Sequence, residues 1–219
     1  DIVKPSMTSE YETVCKELTA ALAEHEIPFN TIVTQTMDNR YMWVSPISGM
    51  EDIENDPTFR ELADKMGADA MDALFDRMNK CYEIEQDYVI HLRKDLSYMP
   101  GGITQTPEGK DFRKFYYLHY NPSDSKALRN QMKAVKALFE SKDSKVHYRV
   151  YQSGFGTRGA FYMVAVASAN AGEDVLMRDE NRKRFGEEGE ATMGKMFNML
   201  RKYEEFSGYM RPDMLAAGQ

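Results

Sequence analysis

The 219-residue sequence predicts an α+β protein built from two tandem βαββαβ units. Three observations carry that expectation. The order strand, helix, strand, strand, helix, strand can be read twice along the chain. A proline closes the first strand of each copy, and Pro5 and Pro122 stand 117 positions apart. Each copy also ends on a similar motif, Leu92-Arg93-Lys94-Asp95-Leu96 in the first and Met210-Arg211-Pro212-Asp213-Met214 in the second.

In the first copy, Ile2 to Lys4 end a strand that looks clipped at its start, and Pro5 closes it. Ser9 and Glu12 form a capping-box pair for a helix with Tyr11, Val14, Cys15, Leu18 and Leu22 on its apolar stripe. Phe29 to Gln35 and Tyr41 to Ile47 read as a strand pair turned at Met37 to Arg40. Asp56-Pro57 opens a second helix running through Leu62, Met66, Leu74, Met78 and Cys81 to about Tyr82, and Tyr88 to Leu96 read as the fourth strand.

The second copy repeats this order. Phe115 to Asn121 form its first strand, and Leu128, Met132, Val135 and Phe139 lie at helical spacing. Val146 to Tyr151 and Phe161 to Val166 follow as a strand pair, then a helix with Met193, Phe197, Leu200 and Tyr203. The expected organisation is a first repeat over 1–97, a linker over 98–114 marked by Pro100-Gly101-Gly102 and Pro107-Glu108-Gly109, and a second repeat over 115–219.

Composition excludes several classes. The formal net charge is −7 and no basic stripe is concentrated enough to neutralise phosphates, so nucleic acid is not an expected partner. The densest basic run, Arg178 to Arg184, is interleaved with Asp179 and Glu180. No apolar run approaches the ~18 residues of a membrane span. No signal peptide is visible, although a chain beginning at Asp1 implies residues upstream. Cys15 and Cys81 fall on apolar helical positions and read as buried reduced thiols in a soluble protein, cytoplasmic rather than periplasmic.

The twofold βαββαβ order resembles the dimeric α+β-barrel superfamily of ferredoxin-like units, which includes antibiotic-biosynthesis monooxygenases and NIPSNAP-like, EthD-like and chlorite-dismutase-like proteins. The run Arg40-Tyr41-Met42-Trp43-Val44-Ser45-Pro46-Ile47, followed by Met50-Glu51-Asp52-Ile53, is similar to a strand-to-helix passage of such units. The resemblance implies one pseudo-symmetric barrel with helices outside and a cavity inside. The chain would be a monomer with an internal pseudo-dimer, or a homodimer.

Period-two alternation then sorts the strands into a helix-packing side and an inward side. Tyr116, Leu118 and Tyr120 should pack on helices, leaving Tyr117 and His119 inward. Val146, Tyr148 and Val150 should leave His147, Arg149 and Tyr151 inward. In the fourth strand, Ile90 and Leu92 should leave His91 and Arg93 inward, and Met42 and Val44 should leave Tyr41, Trp43 and Ser45. The resemblance further implies that His91, Arg93, His147 and Arg149 share one pocket. Arginines, aromatics and imidazoles together suit a small organic ligand, anionic or aromatic, and His147 and His119 are the candidate catalytic bases. Ligand binding without turnover, a cofactor-independent monooxygenase- or isomerase-type enzyme, and an interaction module with a filled barrel are the three functions in view. Polar groups that only hydrogen-bond one another would leave the last of these.

Gly154-Phe155-Gly156-Thr157-Arg158-Gly159 spells G-x-G-x-x-G but precedes a strand, so it reads as a hairpin turn and not a dinucleotide site. No metal-binding spacing is present, and neither a metal nor a cofactor is expected. His25 reads as a helix-terminus residue.

Overall fold

In the computed structural model, which describes residues 1–216, the chain packs as two compact units. The first comprises Asp1–Gln86 and the chain from Tyr209 onward, and the second comprises Asp87–Gly208. The last three positions of the second expected repeat lie outside the described residues.

The first unit opens with β1 (Ile2–Val3), a 3-10 turn at Pro5–Met7 and helix α1 (Thr8–Glu24). The expected capping box does not form. The backbone before Thr8 is already turned by the proline, so Ser9 lies inside the helix, where its carbonyl accepts from the Thr13 hydroxyl. Glu12 is drawn instead to the Tyr41 hydroxyl at 2.6 Å and to Arg211. Strands β2 (Ile32–Thr36) and β3 (Tyr41–Val44) form an antiparallel hairpin in which Val33 faces Trp43 and Gln35 faces Tyr41. Asn39 takes the left-handed conformation in its turn.

A separate turn, α2 (Glu51–Glu54), precedes the second helix, and that helix, expected to run unbroken from Asp56-Pro57 to about Tyr82, is two pieces, α3 (Thr58–Met66) and α4 (Ala68–Met78). Gly67, with φ 92°, breaks the two apart. Strand β4 (Tyr82–Ile84) then pairs antiparallel with β1. Leu22, Val14 and Tyr11 of α1, Leu62 of α3, Leu74 of α4 and Val33 and Tyr41 of the hairpin make this unit's core. Cys15 and Cys81 lie in it as free thiols.

The second unit contains β5 (Ile90–Leu92), β6 (Phe112–His119), a 3-10 turn at Pro122–Asp124, α5 (Ser125–Ser141), β7 (Tyr148–Ser153), β8 (Phe161–Ser168), α6 (Ala171–Phe197) and all but the last two residues of β9 (Lys202–Met210). Its strands lie in the order β9-β6-β8-β7-β5. β6 pairs with β8 over its full length, from Phe112 opposite Ser168 to His119 opposite Phe161. Asn170 caps α6 by accepting from the Glu173 amide at 3.0 Å, and Gly186 kinks the helix. Leu128, Met132, Val135, Leu138 and Phe139 of α5 meet Leu118, Tyr148, Val150, Tyr162 and Val166 of the sheet.

Two of the boundaries that differ from expectation bear on the site. β6 starts at Phe112, three residues earlier than Phe115, so Arg113 and Lys114 are strand residues. The closing strand runs from Lys202 to Met210, and Tyr203 belongs to it and not to the helix before it. The closing motif at 210–214 is the strand's last residue and a 3-10 turn at Pro212–Met214, where proline cannot donate to a ladder.

Candidate functional site

The candidate site occupies the face of the second unit's sheet turned away from α5 and α6. Residues paired directly across antiparallel strands share a face, so register settles who stands there. On β6 it carries Arg113, Phe115, Tyr117 and His119; on β7, Arg149 and Tyr151; on β8, Phe161, Met163, Ala165 and Ala167. Tyr116, Leu118 and Tyr120 lie on the other face, in or against the core under the helices.

At one end, His119 Nε2 lies 2.7 Å from Glu204 Oε2 on β9. Its Nδ1 is buried without a hydrogen-bond partner. The imidazole stacks on Tyr117 at 6.3 Å and meets Phe161 edge-on at 5.7 Å. Phe206 abuts Tyr117 and Tyr88 abuts Phe161, so the histidine ends a wall of aromatic rings. The Glu204 carboxyl is held below its usual range by Lys202 first and by His119 after it. A carboxylate on one imidazole nitrogen fixes the tautomer and leaves the other nitrogen free to take a proton.

At the other end are two buried arginines, Arg113 at 2% and Arg149 at 5% exposure. Their partners are backbone carbonyls of the segment before β6. Arg113 donates to Lys110 O, to Phe112 O at 3.1 Å and to Gln105 O at 2.9 Å, and Arg149 donates to Thr104 O. The Nε of each is buried with no partner. Burial, and then the charge of Arg149, push the Arg113 guanidinium down to about 10. Tyr151 lies beside them; burial raises its hydroxyl and Arg149 opposes that shift. His147 is exposed, and burial of its ring, then Lys110 and Lys145, lower it.

Three expected site residues stand elsewhere. In β5, His91 pairs with Gln152 and Leu92 with Tyr151, so the strand is turned over relative to expectation. His91 and Arg93 therefore lie on the side of Gln152, away from Arg149 and Tyr151. Arg93 is held by Asp95 at 3.0 and 2.8 Å and by Gln152 at 2.5 Å. A three-residue edge strand has too little apolar surface to choose its own face, and its register on β7 decides. Trp43 faces α1 and not the inward side: its Nε1 donates to the Tyr11 hydroxyl at 2.9 Å, and its ring packs on Phe29. All four β3 residues are apolar or aromatic, so alternation could not orient them, and burying the larger rings won.

Arg113 and Glu204 were not among the residues expected from sequence. Arg113 could have been found by extending the period-two pattern of Tyr117 and His119 backwards through Phe115. Glu204 carried no signal, because it lies in a stretch that reads as the continuation of a helix. Gly154 and Gly156 sit in the β7–β8 hairpin turn, where a Cβ on Gly154 would come 2.8 Å from Val89 O and one on Gly156 2.7 Å from Asp87 O. Close backbone approach explains these glycines, and Val89 donates to Phe155 O at 2.8 Å across the gap. Among the described residues, no group of three His, Cys, Asp or Glu side chains could hold a metal ion. No helix among them is long and apolar enough to cross a membrane.

No family model and no curated protein sequence matches the chain. Solved structures do. An anthrone oxidase-like protein shares its fold with a TM-score of 0.57 at 14% identity, covering 99% of this chain and 92% of the other. A protein provisionally described as a monooxygenase from Lactobacillus acidophilus NCFM gives a TM-score of 0.50 at 10% identity, covering 95% and 90%. Another so described, from Fusobacterium nucleatum, gives 0.51 at 10% identity, covering 95% and 88%. At such identities the likeness is one of fold, and it extends over nearly the whole chain as an α+β architecture shared with oxidase- and monooxygenase-like proteins.

Proposed function

We propose that the second unit binds a small aromatic ligand against Tyr117, Phe161 and Phe206 and acts on it as a monooxygenase- or oxidase-type enzyme with His119 as base. The observation that carries this reading is the His119–Glu204 pair at 2.7 Å with Nδ1 buried and unpartnered beside an aromatic wall. Nδ1 would take a proton from an acidic C–H next to a carbonyl of the ligand, and Glu204 would hold the imidazolium that results. The carbanion would then reduce dioxygen: the CH₂ becomes a carbonyl and the second oxygen leaves as water. The oxidase-like and monooxygenase-like neighbours support this chemistry over isomerisation. A second reading, binding without turnover, is favoured by the two buried arginines, which bind anions but move no protons at neutral pH.

The test is oxygen consumption with a panel of hydroxylated aromatic ketones, alongside ligand binding followed by tyrosine fluorescence. His119→Ala should lower kcat by about 10²–10⁴-fold with ligand binding largely retained. Undiminished turnover in His119→Ala would remove the histidine from the mechanism. Tight binding with no turnover in the wild type would leave the second reading.

We also infer that the two units descend from one ferredoxin-like βαββαβ module. Strand order β9-β6-β8-β7 in the second unit and the shared Arg-x-Asp fork with a glutamine at both Arg93 and Arg211 support this.

A further inference from the structure

A cavity of about 70 Å³ opens beside Arg149, at the opposite end of the sheet face from His119. Six residue steps lead from Arg113 to His119 along β6, roughly 20 Å. The cavity is therefore distinct from the aromatic wall, and a ligand bound in it would not require His119 to be a base. Its floor is β8, where Ala165 and Ala167 are the side chains. Ala165 pairs with Arg149 on β7, so the small alanines leave the space that Arg149, Met99 and Pro107 border. Lys110 and His147 complete the polar lining. A single water needs only about 10–15 Å³ measured this way, so the volume suits a group of several heavy atoms.

Cationic side chains outnumber carboxylates around this space. Arg149 feels no carboxylate, and only Tyr151 favours its charged form. Arg113 feels Asp111, an exposed residue, against the repulsion of Arg149. His147 feels Lys110 and Lys145, opposed by Asp143. Carbonyl oxygens of Thr104, Gln105 and Lys110 satisfy donors on the two guanidinium groups, but a carbonyl carries no countercharge. An uncompensated buried charge is strongly destabilising, and Arg149, at 5% exposure, lines the cavity with no carboxylate beside it, which favours an anion there.

We propose that this cavity is a binding site for a small oxyanion, a phosphate dianion in preference to a carboxylate, held by Arg149 with Lys110 and His147 around it. A dianion matches the charges of Arg149 and Lys110 together where a carboxylate matches one, and a phosphate monoester is largely dianionic above pH ~6. Free phosphate and the phosphate of a larger ligand share this chemistry. The small volume favours the free ion or a terminal phosphate group over an internal diester.

The test uses the intact chain with inorganic phosphate as probe. Phosphate should raise the melting temperature by about 2–4 °C above sodium chloride at matched ionic strength, and calorimetric titration should show one site per chain. Arg149→Met should weaken phosphate binding at least tenfold. Should that variant not fold, Lys110→Ala, at a half-exposed position, should weaken it several-fold, and Ala167→Leu should abolish binding by filling the cavity with every charge in place. A phenyl phosphate titration separates the sources: binding equal to inorganic phosphate marks a terminal group on an organic ligand, and exclusion marks the free ion. Phosphate no more stabilising than chloride would overturn the proposal, as would undiminished binding in Lys110→Ala and Ala167→Leu. Acetate binding as tightly as phosphate would overturn the preference for a dianion.

Discussion

Arg211 and Arg93 show how the same three side-chain types can be worth different amounts. Arg211 donates to both carboxylate oxygens of Asp213 at 2.8 Å, to Gln35, and to Glu12 at 2.5 and 2.8 Å. Arg93 makes the same fork with Asp95 and Gln152 but has no second carboxylate. Replacing Arg211 strands two acids and a glutamine, whereas replacing Arg93 strands one half-exposed acid and a glutamine. Arg211→Met should therefore cost about 1–3 kcal/mol and Arg93→Met about 1 or less, measured by urea denaturation. The pH dependence follows in sign. Asp213 and Glu12 are both held below their ordinary values, each by Arg211 first. Their contribution is complete above the usual carboxylate range and is lost as pH falls through their lowered values. The stability gap between wild type and Arg211→Met should hold from pH ~7 to ~5 and close only below that, as pH falls through the carboxylate range and beneath it. A gap that stays constant would mean that Arg211 acts through packing and not through its carboxylates.

At the scale of elements, glycines decide where strands and helices can lie. Gly156, with φ 79°, turns the β7–β8 hairpin and leaves room for the backbone at Asp87 and Tyr88. Gly156→Ala adds a Cβ to a left-handed residue and against backbone atoms, so it should cost more than about 1 kcal/mol. Gly101→Ala, where a Cβ meets nothing within 4 Å, is the control and should be neutral or mildly stabilising. Equal melting temperatures for the two variants would show that the turn can rearrange. The G-x-G-x-x-G spelling thus has a packing cause. The sequence showed the hairpin, because a strand follows the glycines, but not the chain segment crossing beside them. Alternation oriented β6 and β7 correctly because each has a clear polar and apolar side: Tyr117 and His119 against Leu118, Arg149 against Val150. It misplaced β3 and β5 because one is apolar throughout and the other is three residues long.

For the molecule as a whole, two separate cores have a measurable consequence. Leu22 anchors one and Leu128 the other, and both are fully buried. Each leucine-to-alanine change should cost about 2–5 kcal/mol. In native-state hydrogen exchange, Leu22→Ala should accelerate amides of 1–86 and 209–216, and Leu128→Ala those of 87–208. Uniform acceleration by either variant would mean that the chain opens as a single cooperative unit.

What the sequence determined by itself was local. Helical spacing placed α1 and α5, proline closed β1 and β6, and polar alternation put Tyr117, His119 and Arg149 on one face of their strands. Each of these depends on neighbours within a few residues. Tertiary structure alone decided what depends on partners far along the chain. Glu12 left its helix cap for Arg211, 199 residues away. His119 acquired Glu204 from a strand that reads as helix, 85 residues on. Arg113 and Arg149 became buried neighbours only when β6 and β7 took their places on either side of β8. Periodicity reports which side of an element is apolar. Which charged group meets which is fixed by register and strand order, and these are set by how the whole unit buries its core.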